Sequence, residues 1–303
     1  MSSALLSPAT RSDIATRDLV IACHIAGPAD GPAAVLCHGF PYDVHAMVAA
    51  GERLATGGWR VVVPYMRGYG PTRFRDTATL RSGQQAALAH DLLALIDALG
   101  LDRPVVAGFD WGGRAACIVA ALWPERVGGL VSCGGYNIQN IATADTPLAP
   151  EQEARLWYQF YFHGARGRAG LRDNRARLAR LLWSQWSPTW RFDDAVFHQT
   201  APAFDNPDFV DVVIHSYRHR FGLVAGDSRF EATEAALAEQ PVIEAPAIVL
   251  DGAASGLFEV TDTAGLAPHF SAPFEHRVLP GVGHNPPQEA PAAFADAVMA
   301  LGG

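Results

Sequence analysis

The chain has 303 residues, 49% of them hydrophobic and 18% charged, a globular balance with length enough for a substantial core and a closed pocket. Its formal net charge is −8 and no basic stripe stands out, which argues against nucleic acid as a partner, because phosphate binding needs clustered Lys and Arg; the arginines from Arg166 to Arg180 read as a solvated helix face. No stretch approaches the ~18 apolar residues of a membrane-spanning helix, and Met1 to Ala9 lack a positive segment leading into an apolar one, so neither a membrane span nor a signal peptide is expected.

In chain order, apolar runs at Leu19–Ile25, Ala33–Cys37 and Val61–Val63 predict strands. Gln84–Leu99 carries apolar residues at helical spacing and stops at Gly100, a suitable C-terminal cap. Val105–Ala107 reads as a short buried strand, followed by glycines, the apolar helix Ala115–Leu122 and a strand Val127–Cys133. Short apolar strands alternating with helices indicate a mostly parallel sheet flanked by helices, an α/β class. The pattern changes after Gly134: Tyr136 to Gln240 is aromatic, rich in arginine and free of convincing strands. Alternation resumes with Pro246–Leu250, a helix near Thr261–His269, the strand Glu275–Leu279 and a final helix from Gln288. The expected organisation is a core of residues 1–135 and 241–303 interrupted by a helical cap at 136–240. The four cysteines (Cys23, Cys37, Cys117, Cys133) sit in apolar runs without metal-site spacing, so they read as buried thiols in a reducing cytoplasm.

The most informative segment is Gly108-Phe109-Asp110-Trp111-Gly112-Gly113, which follows a predicted strand and precedes a predicted helix. That is the context of a nucleophile elbow, a sharp turn that raises one side chain above the end of the sheet. An aspartate there sits at a helix N-terminus, where the dipole favours its charge. A carboxylate attacks sp³ carbon, opening an epoxide or displacing a halide to leave an alkyl ester. It is a poor nucleophile for ordinary esters, since the acyl product would be a labile anhydride. His38-Gly39-Phe40-Pro41 follows the second strand, where an elbow draws its second backbone donor, so the N–H groups of Phe40 and Trp111 are expected to form an oxyanion hole. His38 itself reads as a turn brace. Val282-Gly283-His284-Asn285 follows the last predicted strand, and His284 is the candidate base that activates water against the ester. His215 and His219, four apart, lack an acidic or cysteine partner at metal-binding spacing, and no metal or cofactor is expected.

These motifs, with Arg67-Gly68-Tyr69-Gly70-Pro71-Thr72, resemble the α/β-hydrolase superfamily from about Val20 to the C-terminus, in the branch of epoxide hydrolases, haloalkane dehalogenases and fluoroacetate dehalogenases. The resemblance implies an α/β-hydrolase fold with an inserted helical cap, and cap tyrosines that polarise the epoxide oxygen. Tyr158 matches the first such tyrosine and Tyr217 the second. Fluoroacetate dehalogenases follow their aspartate with an arginine; here that place is Trp111, and only Arg114 remains of the arginine pair. The triad acid of this branch usually stands in a Gly-x-x-Asp-Gly pattern after the strand ending at Leu250. Here Ser255 occupies that position, with Glu259 and Asp251 as alternatives. The expected substrate is a small apolar epoxide or halide opened through Asp110. The alternatives are a dehalogenase and a non-hydrolytic relative that isomerises, cyclises or binds a ligand. The sequence leaves oligomeric state open, a homodimer included.

Overall fold

Apolar runs too short for helices assemble into one nine-stranded sheet in the computed structural model, which describes residues 4–302. The strands are β1 (Arg11–Ala15), β2 (Leu19–Ala26), β3 (Ala33–Cys37), β4 (Arg60–Pro64), β5 (Arg73–Phe74), β6 (Val105–Phe109), β7 (Gly129–Cys133), β8 (Ala247–Gly252) and β9 (Phe274–Leu279). Their spatial order is β1-β2-β4-β3-β6-β7-β8-β9, with β5 beside β2. Pairings among β1, β2, β4 and β5 are antiparallel; every pairing from β4 through β3 to β9 is parallel. Every residue of β6, β7 and β8 is buried, as expected of central strands covered on both faces, whereas edge strand β9 is half exposed.

Outside the stretch between β7 and β8 the helices are α1 (Val48–Thr56), α2 (Gln85–Ala98) and α3 (Asp110–Leu122). Between β7 and β8 lie α4 (Pro150–Arg155), α5 (Trp157–Tyr161), α6 (Ala165–Trp186), α7 (Asp194–Thr200), α8 (Phe209–His219) and α9 (Glu231–Ala238). After β8 come α10 (Thr263–Leu266), α11 (Pro286–Glu289) and α12 (Pro291–Ala300). α2 packs against α3, and α1 against α11 and α12. Residues 136–240 hold no strand, as expected from the missing period-two pattern. Within α6, Arg172, Arg175 and Arg180 pair with Asp173, Asp205 and Asp194, which accounts for the arginine run as surface ion pairs. No helix among the described residues is long and apolar enough to cross a membrane.

The structure differs from the sequence reading in detail. β1 was not anticipated because Arg11–Ala15 is mostly polar, and it forms a half-exposed edge. α1 carries Gly51 in its interior, which weakens its helical signal. The C-terminal helix is split at Ala290-Pro291, since proline offers no N–H to continue α11.

Candidate active site

β6 runs directly into α3, and the residue at the junction is Asp110 with φ of 52°. A non-glycine residue in the left-handed region costs roughly 1–2 kcal/mol, so the surrounding packing must hold it. Two close approaches do so. A Cβ on Gly112 would meet the Cys37 carbonyl oxygen at 2.1 Å, and one on Gly39 would meet the Asp110 Cβ at 2.4 Å. Glycine at both positions lets α3 settle against β3 and its following turn. The turn is braced from behind: His38 Nε2 accepts from the Met66 amide at 3.1 Å, and Tyr69 packs edge-on to the His38 ring. Arg67 of the same loop ties down to Asp91 of α2 at 2.6 and 2.7 Å. The Arg-Gly-Tyr-Gly motif is therefore a scaffold beneath the elbow.

The two carboxylate oxygens of Asp110 have different surroundings. Oδ1 accepts the Phe40 amide at 2.8 Å and the Trp111 amide at 2.7 Å. Oδ2 makes no such bond and stands 3.6 Å from His284 Nε2. Burial pushes the Asp110 carboxyl up, but His284, the Arg220 charge and the Phe40 amide outweigh it and hold the group below the ordinary carboxylate range. Asp110 is thus an ionised carboxylate with one oxygen tied and one free.

His284 is held through its backbone. Its amide donates to Ser187 Oγ at 3.0 Å, and that hydroxyl donates to Glu289 Oε1 at 2.7 Å. Glu289 also accepts the amides of Gly283 and Asn285, fixing the loop on both sides of the imidazole. Trp186 packs edge-on to the ring at 5.1 Å. Neither Ser187 nor Trp186 was singled out from the sequence; a long insertion gives no spacing signal for a contact 97 residues away. Among the described residues, no carboxylate other than Asp110 comes within 4.0 Å of the His284 ring nitrogens.

The three positions considered for a partner of His284 are placed elsewhere. Ser255 lines the same cleft, but its Oγ accepts the Leu257 and Phe258 amides at 3.3 and 3.4 Å. Asp251 is buried and bonded to His276 Nε2 at 2.7 Å, because the end of β8 points it at the neighbouring strand. Glu259 is exposed and pairs with Arg155 at 3.3 Å. His284 has neither alternative carboxylate for a partner.

Tyr158 of α5 lines the cleft and its hydroxyl accepts Gln159 Nε2 at 3.0 Å. Tyr217 of α8 packs against it, ring centroids 5.3 Å apart, with a buried hydroxyl that has no partner among the described residues. Burial pushes both phenols well up. For Tyr158, the charge of Arg220 and the hydrogen bond from Gln159 oppose that rise. The Phe40 ring is the hub of this cluster, 5.4 Å from Tyr217 and 5.8 Å from Trp111.

The walls of the cleft include Asp110, Arg114, Tyr158, Arg220, Ser255 and His284. A small apolar substrate was expected. Instead most aromatic rings of the insertion pack around Phe40 and Trp183, and polar side chains reach the cleft. The signal for Arg220 was present: it lies three residues past Tyr217, at the C-terminal cap of the same helix.

Comparison with known proteins identifies the fold family. A family model described as alpha/beta hydrolase fold matches residues 32–291. A crystal structure from Klebsiella pneumoniae, named an epoxide hydrolase by inference, is 46% identical with a TM-score of 0.95, covering 97% of each chain. An epoxide hydrolase of Caballeronia sordidicola is 33% identical over 126 residues, 42% of this chain and 37% of that protein. Epoxide hydrolase A of Mycobacterium tuberculosis is 24% identical over 301 residues, 90% of this chain and 91% of that protein. The match spans less than half the length of the Caballeronia protein and of epoxide hydrolase B of Mycobacterium tuberculosis, at 37% and 40%. The chain belongs to the α/β-hydrolase fold family and, within it, is similar to the epoxide-hydrolase branch.

Proposed function

We propose that this protein opens an epoxide to a diol through an alkyl ester on Asp110. The observation that carries the reading is the inequality of the two Asp110 oxygens, one bound by two amides and the other free toward His284. In the first step Oδ2 attacks a ring carbon, the C–O bond of the ring breaks, and the departing oxygen takes a proton from Tyr158 or Tyr217. A phenol in that place supplies a proton without carrying a charge. In the second step His284 takes a proton from water, and the resulting hydroxide adds to the Asp110 ester carbonyl. Negative charge then develops on Oδ1, already held by the Phe40 and Trp111 amides. Collapse breaks the bond between the carbonyl carbon and the alkyl oxygen, which takes the proton from the His284 imidazolium as the diol leaves; the proton left on the Asp110 carboxyl returns to the tyrosinate, restoring the resting site. Helices of residues 136–240 act as the cap over the core of 1–135 and 241–303. The four buried free thiols support a reducing cytoplasm as the working compartment.

His284 without a carboxylate partner lacks a fixed tautomer and a counter-charge for its imidazolium, so the second step is the slow one and the ester accumulates. Intact-protein mass spectrometry after mixing with a terminal epoxide is expected to show one adduct, localised to Asp110 and lost in Asp110→Asn. Binding of epoxides with no adduct at any time would favour a non-hydrolytic protein. A second reading, displacement of halide, is supported by the buried indole N–H groups of Trp111 and Trp186, which have no partner among the described residues. Release of halide from a haloalkane at a rate above that of diol formation would select it.

A further inference from the structure

Two arginines face the cleft without a carboxylate of their own. Arg114 lies four residues past Asp110 on α3, and Arg220 caps the end of α8. Both line the same space as Asp110, Tyr158 and His284. Arg114 gives Nη1 to Gln139 Oε1 at 2.9 Å, while its buried Nε has no partner among the described residues. Arg220 is 8% exposed, and its guanidinium rests 4.6 Å from the Tyr217 ring centroid and 5.9 Å from that of Trp111. Neither forms an ion pair within 4.0 Å among the described residues. Burial, and after it the charge of Arg220, pushes Arg114 down to about 9.

Desolvated cations are costly unless a counter-charge meets them. Asp110 offsets one of the two. The remaining acids on the cleft wall are engaged elsewhere, Asp251 with His276 and Glu259 with Arg155. One positive charge stays in excess beside the nucleophile, with guanidinium donors left open.

We infer that Arg114 and Arg220 together anchor a carboxylate, so that the epoxide taken by this site bears an acid group of its own. This rests on the epoxide reading above and names its substrate class. A monoanion closes the charge balance of the site, whereas a dianion such as a phosphonate would reverse it. Guanidinium forks match the paired oxygens of a carboxylate, and anchoring one end of a small molecule orients its ring toward Oδ2. The same interaction lowers the cost of keeping both arginines buried.

The test compares oxirane-2-carboxylate with its neutral amide, on the full chain. The acid is expected to react with about 100-fold higher kcat/KM, the size of a charge-assisted double contact, and Arg220→Gln and Arg114→Gln should each collapse that ratio toward one. Arg220→Lys retains the charge and should keep part of the preference, which also guards against a misfolded glutamine variant. Propanoate, which cannot react, is titrated separately against the wild-type protein and the variants by calorimetry. Equal rates for acid and amide, or a ratio unchanged in both glutamine variants, would overturn the anchor. If propanoate binds in an arginine-dependent way while neither epoxide alkylates Asp110, the epoxide reading fails and the anchor stands. If both epoxides react equally and propanoate does not bind, the reverse holds.

Discussion

At the scale of single residues, the hydroxyl of Ser255, at a position where the family resemblance led to the expectation of a carboxylate, carries the clearest consequence. Ser255 is engaged with two backbone amides of its own turn and offers the imidazole nothing. Ser255→Asp should raise steady-state diol formation at least about tenfold, since a fixed tautomer and a counter-charge are restored to the base, and should reduce the fraction of ester-modified protein. Unchanged turnover and unchanged adduct would mean that water activation does not depend on that position. His284→Gln should do the opposite: alkylation persists, diol release falls by about 1000-fold or more, and the adduct remains stable during hours of dialysis. Asp110 and His284 were legible because each belongs to a short segment in which strand, turn and helix signals coincide. The partner that His284 lacks was legible too, as a serine in a position where the pattern leads one to expect an acid. The commitments of Asp251 to His276 and of Glu259 to Arg155 were not, because each depends on a neighbour brought in by the fold.

At the scale of elements, the elbow depends on close approach of α3 to β3. Gly112→Ala would place a methyl group 2.1 Å from the Cys37 carbonyl, backbone against backbone, with no flexible side chain to yield. The variant should lose about 1–3 kcal/mol in urea unfolding, and its rate of Asp110 alkylation should fall with it, because the displaced turn carries the Phe40 amide. A variant as stable and as fast as the wild type would show that the turn can move freely. Strands buried on both faces announce themselves as continuous runs of Val, Ala and Leu, so β3, β4, β6, β7 and β8 could be read from the sequence. The polar edge strand β1 could not. β1 takes its place by backbone pairing with β2, and its sequence carries little of that information. The insertion was legible as helical and aromatic, yet the direction in which its side chains point was not: most rings pack on one another, while Arg220 turns to the cleft.

At the scale of the whole molecule, burial of neutral imidazoles links stability to pH. Burial holds His38 and His215 down at about 4, below the ordinary histidine value of 6.5. His38 braces the turn ahead of the elbow, and His215 joins Gly83 to Ala225. The unfolded chain takes up these two protons below about pH 6.5 and the folded chain only near pH 4, so the stability they confer is complete above pH 6.5 and is lost as pH falls toward 4. The loss is on the order of 3 kcal/mol for each ring. Urea midpoints should therefore fall steeply between pH 6.5 and 4. His38→Gln, less stable at pH 7.5, should show a shallower fall; a flat wild-type profile over that range would refute the assignment. Parallel strands, helices on the sheet and a helical insertion were all readable from the alternation of periods. The charge economy of the cleft was not, since it arises only when α3, α8 and the loop before α11 converge.

The asymmetry at Asp110 also fixes the route of individual atoms. In the chemistry proposed, the tethered oxygen stays with the protein and the free one departs in the product. A first cycle run in isotopically heavy water should then yield light diol and a protein heavier by one labelled atom. Only from the second cycle onward should the label pass into what is released.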